Sequence, residues 1–135
     1  MTGDLALASD PPSRREIDYL MIAIFARMQH GREAEARTLI DGVLAAGVET
    51  PELLFAKAVV ENNTDNFEAA LAAVRRLEVV EPAASGVRGK ALSRTRMRSY
   101  IYARAVFGLT GELDEAGRAA LDFYLRQSRK KRKSV

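Results

Sequence analysis

Cysteine and tryptophan are absent from this chain, and histidine occurs once, as His30. Without a thiol there is no disulfide, no thiolate metal site, no thiol nucleophile and no redox switch. A lone imidazole leaves little material for a metal cage or a histidine-based triad. The longest strongly apolar run, Tyr19 to Ala26, falls far short of the roughly 20 residues needed to span a bilayer. The opening MTGDLALASDPP has neither a basic n-region nor a long apolar h-region, so no secretory signal is visible. A phosphate loop is missing too, because Gly86-Val87-Arg88-Gly89 lacks the Lys-Ser/Thr that would complete one. The expectation is a soluble intracellular protein that binds no cofactor or metal and is not an enzyme.

What is present fits a single helical domain. The chain has 135 residues, close to the usual domain size of about 100–150, and is 47% apolar, enough to build a core. Its formal charge of +3 hides two opposed halves. Residues 1–82 hold 8 basic and 14 acidic side chains, net −6, and residues 83–135 hold 13 basic and 4 acidic, net +9. Such a chain can meet an acidic partner at one end, or associate with itself head to tail.

The pattern predicts a flexible lead over 1–13, a helical domain over 14–127 and a disordered basic tail over 128–135. In the tail, the consecutive like charges of Arg129 to Lys133 repel. Within the domain, three helix–turn–helix units are expected, at about 14–47, 50–82 and 91–127. Leu20, Ala23, Ile24 and Arg27 have helical spacing, as do Ala36, Leu39, Ile40 and Val43. Gly47 is expected as a left-handed stop, and Thr50-Pro51 as a cap with Pro at the first helical position. The turns align as Gly31, Asp65 and Gly111, each followed five residues on by a small residue: Ala36, Ala70 and Ala116. A small side chain there lets two helices cross closely. A first-to-first spacing of about 34 residues is that of a solenoid, with Ala83–Arg96 as an insertion that lengthens the third unit.

With those residues in place, the chain resembles the tetratricopeptide repeat (TPR) family. The third unit carries the likeness best, through Tyr100, Ala103, Phe107, Gly111, Leu113 and Ala116; the second offers Ala56, Phe67, Ala70 and Pro82. The first departs from the pattern, with Glu33 where an aromatic is usual. The implied fold is an all-α, right-handed solenoid of three degenerate TPR-like helix pairs. By size and repeat number the chain is similar to the small chaperones that guard needle subunits in type III secretion. That resemblance implies a protein of the bacterial cytoplasm whose groove holds an amphipathic helix of a secreted subunit. It also implies a possible second small co-chaperone as partner.

In such a stack the first helices line the concave face. The groove positions are expected at Met21, Phe25 and Met28, then Leu53, Lys57 and Val60, then Arg98, Ile101 and Ala105. Seven of these nine are apolar, which suits a docked helix better than an acidic peptide terminus. The alternative is that a register error makes them plain core residues. Two other functions stay open: a generic TPR adaptor, homo-oligomers included, and a nucleic-acid regulator acting through the basic half. For the latter, Arg88, Lys90, Arg94, Arg96, Arg98 and Arg104 run without an acid from Ala83 to Gly111. No recognised nucleic-acid motif accompanies them, so a solvated face is the simpler reading. His30 reads as a helix C-terminal residue, and Glu33/Glu35 and Asp114/Glu115 as first-turn acids favoured by the helix dipole.

Overall fold

Each helix starts or stops where a side chain or a glycine satisfies its free backbone groups. The computed structural model describes residues 12–82 and 90–133, with side chains for 12–82 and 94–126. Among the described residues there are six helices and no strand. These are α1 (Arg14–Gln29), α2 (Glu33–Ala45), α3 (Pro51–Asn63), α4 (Phe67–Val80), α5 (Lys90–Thr110) and α6 (Glu115–Lys133). Residues 1–11 of the lead expected at 1–13, and residues 83–89 of the insertion expected at Ala83–Arg96, lie outside the described residues.

Ser13 caps α1 through a capping box: its Oγ accepts from the Glu16 N–H at 3.1 Å, and its own N–H donates to Glu16 Oε1 at 2.7 Å. Thr50 Oγ1 accepts from the Leu53 N–H at 3.2 Å to start α3, with Pro51 at the first position. Asp114 starts α6 by accepting the Gly117 N–H at 2.6 Å. The turns inside the three pairs share one device, a residue in the left-handed region: Gly31 at φ 72°, Asp65 at φ 60° and Gly111 at φ 79°. Glycine takes that conformation without a Cβ penalty, and aspartate is among the few other residues that tolerate it. Gly47, at φ 90°, closes the first pair.

Helices pack in chain order, and α3 also packs on α1 and α5. This makes a layer of α1, α3 and α5. Two apolar clusters hold it to the other helices. One gathers Ile24, Ala36, Ile40, Val43, Leu53, Ala56 and Val60 from α1, α2 and α3. The other gathers Ala58, Ala70, Leu71, Ala73, Val74, Ile101, Ala105 and Val106 from α3, α4 and α5. Helix α3 feeds both, so it is the spine of the molecule. Each fully buried Leu or Ile there is worth roughly 1.5–3 kcal/mol.

Two expectations are corrected. The small residue buried at the third crossing is Gly117, whereas Ala116 is exposed. Residues 111–114 separate α5 from α6, one more than the 30–32 and 64–66 turns, and the longer link displaces the alignment. The basic tail also differs, since the backbone is helical to Lys133. Lys and Arg are good helix formers, and they extend a helix already nucleated by the packing of α6.

Candidate functional site

Of the nine positions expected to line a groove, the structure brings only the first three to the open side. Phe25 is 38% exposed, and Met21 and Met28 lie half-buried beside the first cluster. Leu53, Val60, Ile101 and Ala105 are core residues. Lys57 is turned inward, donating to Asp41 Oδ1 at 2.8 Å and to Glu61. Arg98 is 4% exposed, donating to the Glu81 carbonyl at 2.9 Å and to Glu78. The physical reason is a register error. Each residue of slip turns a helix by about 100°, so an offset of one or two residues exchanges the open side for the core.

The open side carries other residues. On α3 it is Glu52, Phe55, Val59 and Asn63, at helical spacing, the two apolar ones half-buried and the two polar ones exposed. On α5 the direction lies between two contacts. Arg104 reaches toward α3, and Val106 Cγ1 lies near the Cβ position that Gly117 of α6 leaves empty. Between them point Arg96, Tyr100 and Phe107, with Phe107 55% exposed. Val59 of α3 and Tyr100 of α5 both pack against the same core cluster. On α1, Ile22, next to Phe25, is 70% exposed. The sequence pointed to the face but mislaid Phe55, Val59, Tyr100 and Phe107. The signal that finds Phe55 and Val59 is the spacing from the first pair: Met21 and Phe25 lie 10 and 6 residues before Gly31, as Phe55 and Val59 do before Asp65. The same offsets before Gly111 fall on the core residues Ile101 and Ala105, so the spacing does not find Tyr100 and Phe107.

The opposite side of α3 is polar and closed. Glu61, 2% exposed, accepts from Arg37 Nε at 3.1 Å on both oxygens, from Asn66 Nδ2 at 2.9 Å and from Lys57. Burial pushes the Glu61 carboxyl up, but the hydrogen bonds from Arg37, Lys57 and Asn66 outweigh it and hold it below the usual carboxylate range. Lys57 is likewise drawn two ways: burial lowers it, and Asp41 and Glu61 raise it further, so the ammonium stays charged.

The basic run of α5 is largely engaged within the molecule. Arg94 Nη2 donates to Glu81 Oε2 at 3.0 Å; Arg104 donates to the Asn62 carbonyl at 2.6 Å and to Asp65 Oδ1 at 3.0 Å. These guanidiniums join helices instead of presenting a row of free cations to phosphates. Arg88 and the Lys90 side chain lie outside the described residues. His30 is the C-cap of α1, and Glu35 pairs with Arg27 and Arg32. Among the described residues no group of three or more His, Cys, Asp or Glu is placed to hold a metal ion. No described helix is long and apolar enough to cross a membrane.

Comparison with family models, with curated proteins and with solved structures finds no match to this chain.

Proposed function

We propose that this chain is a right-handed solenoid of three TPR-like helix pairs that binds protein and has no catalytic role. The observation that carries the reading is the strip of half-exposed Phe25, Phe55, Val59, Tyr100 and Phe107 along the layer of α1, α3 and α5. Aromatic side chains at that spacing suit the apolar stripe of an amphipathic helix, because they give large contact area at low entropic cost. Support for the solenoid comes from the left-handed turns at Gly31, Asp65 and Gly111, and from the buried small residues Ala36, Ala70 and Gly117. The partner is a secreted, needle-type subunit of a type III secretion system, held in the bacterial cytoplasm so that its helix does not polymerise. That part rests on the size and repeat number the chain shares with the needle-subunit chaperones. The adaptor reading uses the same face with a different partner.

The test is capture of the tagged protein from its host at about 0.5 M salt, where electrostatic screening within a few Å removes purely ionic partners. A small secreted helical subunit is expected to stay with the wild type and to be lost from Phe55→Asp. Circular dichroism of that variant should match the wild type, since Phe55 is not a core residue. Retention of the subunit by Phe55→Asp would overturn the assignment of the face.

A further inference from the structure

One arginine on the open side has no charged partner among the described residues. Arg94, Arg98 and Arg104 all reach carboxylates of the chain. Among the described residues Arg96 makes no ion pair or hydrogen bond, and its Nε is buried without an acceptor. What fixes it is an aromatic pair. The guanidinium lies over the Tyr124 ring of α6, 5.6 Å from its centroid, and Tyr124 packs on Tyr100 with ring centroids 5.0 Å apart. Arg96, Tyr100 and Phe107 follow one side of α5 at four- and seven-residue spacing, so the cation stands at the end of the apolar strip.

We propose that Arg96 is the receptor for an acidic side chain of the docked partner helix, which fixes that helix's position and direction on the strip. The inference rests on the open face being a helix-docking site and adds the chemistry that selects the helix. A planar guanidinium stacked on an aromatic ring is pre-organised, so little rotamer freedom is lost when a carboxylate meets it. The Arg96 Nε is buried and out of an incoming carboxylate's reach, so the contact falls to the two terminal nitrogens of the fork. A carboxylate accepts from the fork through two oxygens with charge assistance; an amide in its place offers one acceptor oxygen and no charge. A helix lying across the strip therefore needs Glu or Asp flanking its apolar stripe at the α5 end. Farther along the layer it meets Glu52 on α3, which disfavours acid there, whereas Asp18 on α1 is already paired with Arg14. Charge thus sets the direction of docking.

The probe is a set of three amphipathic helical peptides of about 16 residues, long enough to hold helix once docked. They share one Leu/Ala stripe and differ only at the residues flanking its ends, which are all Glu, all Gln or all Lys. Fluorescence anisotropy reads their binding to the full-length chain, to Arg96→Gln and to Phe55→Asp. The wild type is expected to bind the Glu peptide about tenfold more tightly than the Gln peptide, the scale of one charge-assisted hydrogen bond, and the Lys peptide more weakly still. In Arg96→Gln the Glu and Gln peptides should bind alike, with an unchanged thermal midpoint. Equal binding of all three peptides by the wild type, or a Glu preference that survives in Arg96→Gln, would overturn the role of Arg96 and leave the docking face standing. Failure of every peptide to bind, or binding that Phe55→Asp leaves intact, would overturn the docking face and this inference with it.

Discussion

The two sides of α3 are dressed in opposite ways. Toward α2 it buries Glu61 and most of Lys57; toward solvent it shows Phe55 and Val59. Carbon faces water and charge faces protein on one helix. The difference teaches that polarity alone does not decide which side of a central helix is covered. A buried carboxylate is tolerable when its desolvation is offset by enough donors, and Glu61 has Arg37, Lys57 and Asn66. Exposed carbon has no such compensation among the described residues, and on the proposed function an occupant from outside supplies it. The closed side is therefore a matter of stability, and the open side, on the function proposed above, a matter of binding.

If that division holds, the largest loss of stability comes from the closed side. Glu61→Ala leaves Arg37 and Lys57 buried without their shared acceptor and is expected to cost about 3 kcal/mol, at the lower end for breaking a buried pair because both cations keep some access to water. Urea denaturation reads it as a lower midpoint with the same slope. The sign of the pH dependence follows from the direction of the shift. The folded carboxyl sits below its unfolded value of about 4.3, so its contribution is fully present above that pH and is lost as pH falls through the lower, folded value. In Glu61→Gln the acid-side fall in midpoint should be shallower. It does not vanish, because Glu16 and Glu49 are also held low, by Ser13 and Arg76. An unchanged midpoint in Glu61→Ala at neutral pH would break the comparison.

Legibility in the sequence follows the same division. Helices α1 to α4 could be read because their ends carry local chemistry: Thr50-Pro51, the Gly31 and Gly47 stops, and the Asn63–Asn66 turn. The sides of α3 could not be read, since Leu-Leu-Phe-Ala-Lys-Ala-Val-Val is apolar nearly all round and has no period to set a face. That is why Leu53 and Val60 were expected at the surface and are found in the core. The third pair misled for another reason: its turn is one residue longer, which displaces Gly117 from the small-residue alignment. The long-range ion pairs Arg37–Glu61, Arg76–Glu49 and Arg104–Asp65 lie 24, 27 and 39 residues apart in sequence, and no local pattern announces them.

Arg104 tests how far the comparison extends to the second junction. Its guanidinium donates to the carbonyl and side-chain oxygen of Asn62 and to Asp65, and lies 4.9 Å from the Phe67 ring centroid. It ties the end of α3 to α5 much as Arg37 ties α2 to α3, but it is more exposed. Arg104→Ala is expected to cost about 1–2 kcal/mol, less than Glu61→Ala, since the freed acceptors reach water. Arg104→Lys should recover only part of this, because an ammonium does not reproduce the fork. Thermal denaturation of both variants beside Glu61→Ala checks the order. A loss from Arg104→Ala as large as that from Glu61→Ala would mean that the two junctions are equivalent and burial is not what separates them.

The smallest effect is predicted where hydrogen-bond geometry is best. Arg76 grips Glu49 through both nitrogens and both oxygens at 2.6 Å, a fork as well formed as any in the molecule. Its side chains are 53% and 36% exposed, so water already solvates both charges and the pair adds little, and salt screens what remains. Arg76→Ala should leave the urea midpoint where it is, at low salt and at high salt alike. The contrast with Glu61 then isolates burial as the quantity that matters, because the two carboxylates have similar partners and similar distances and differ in their access to water. A fall for Arg76→Ala that matches Glu61→Ala would place the scale in bond geometry instead, and the polar side of α3 would lose its special standing.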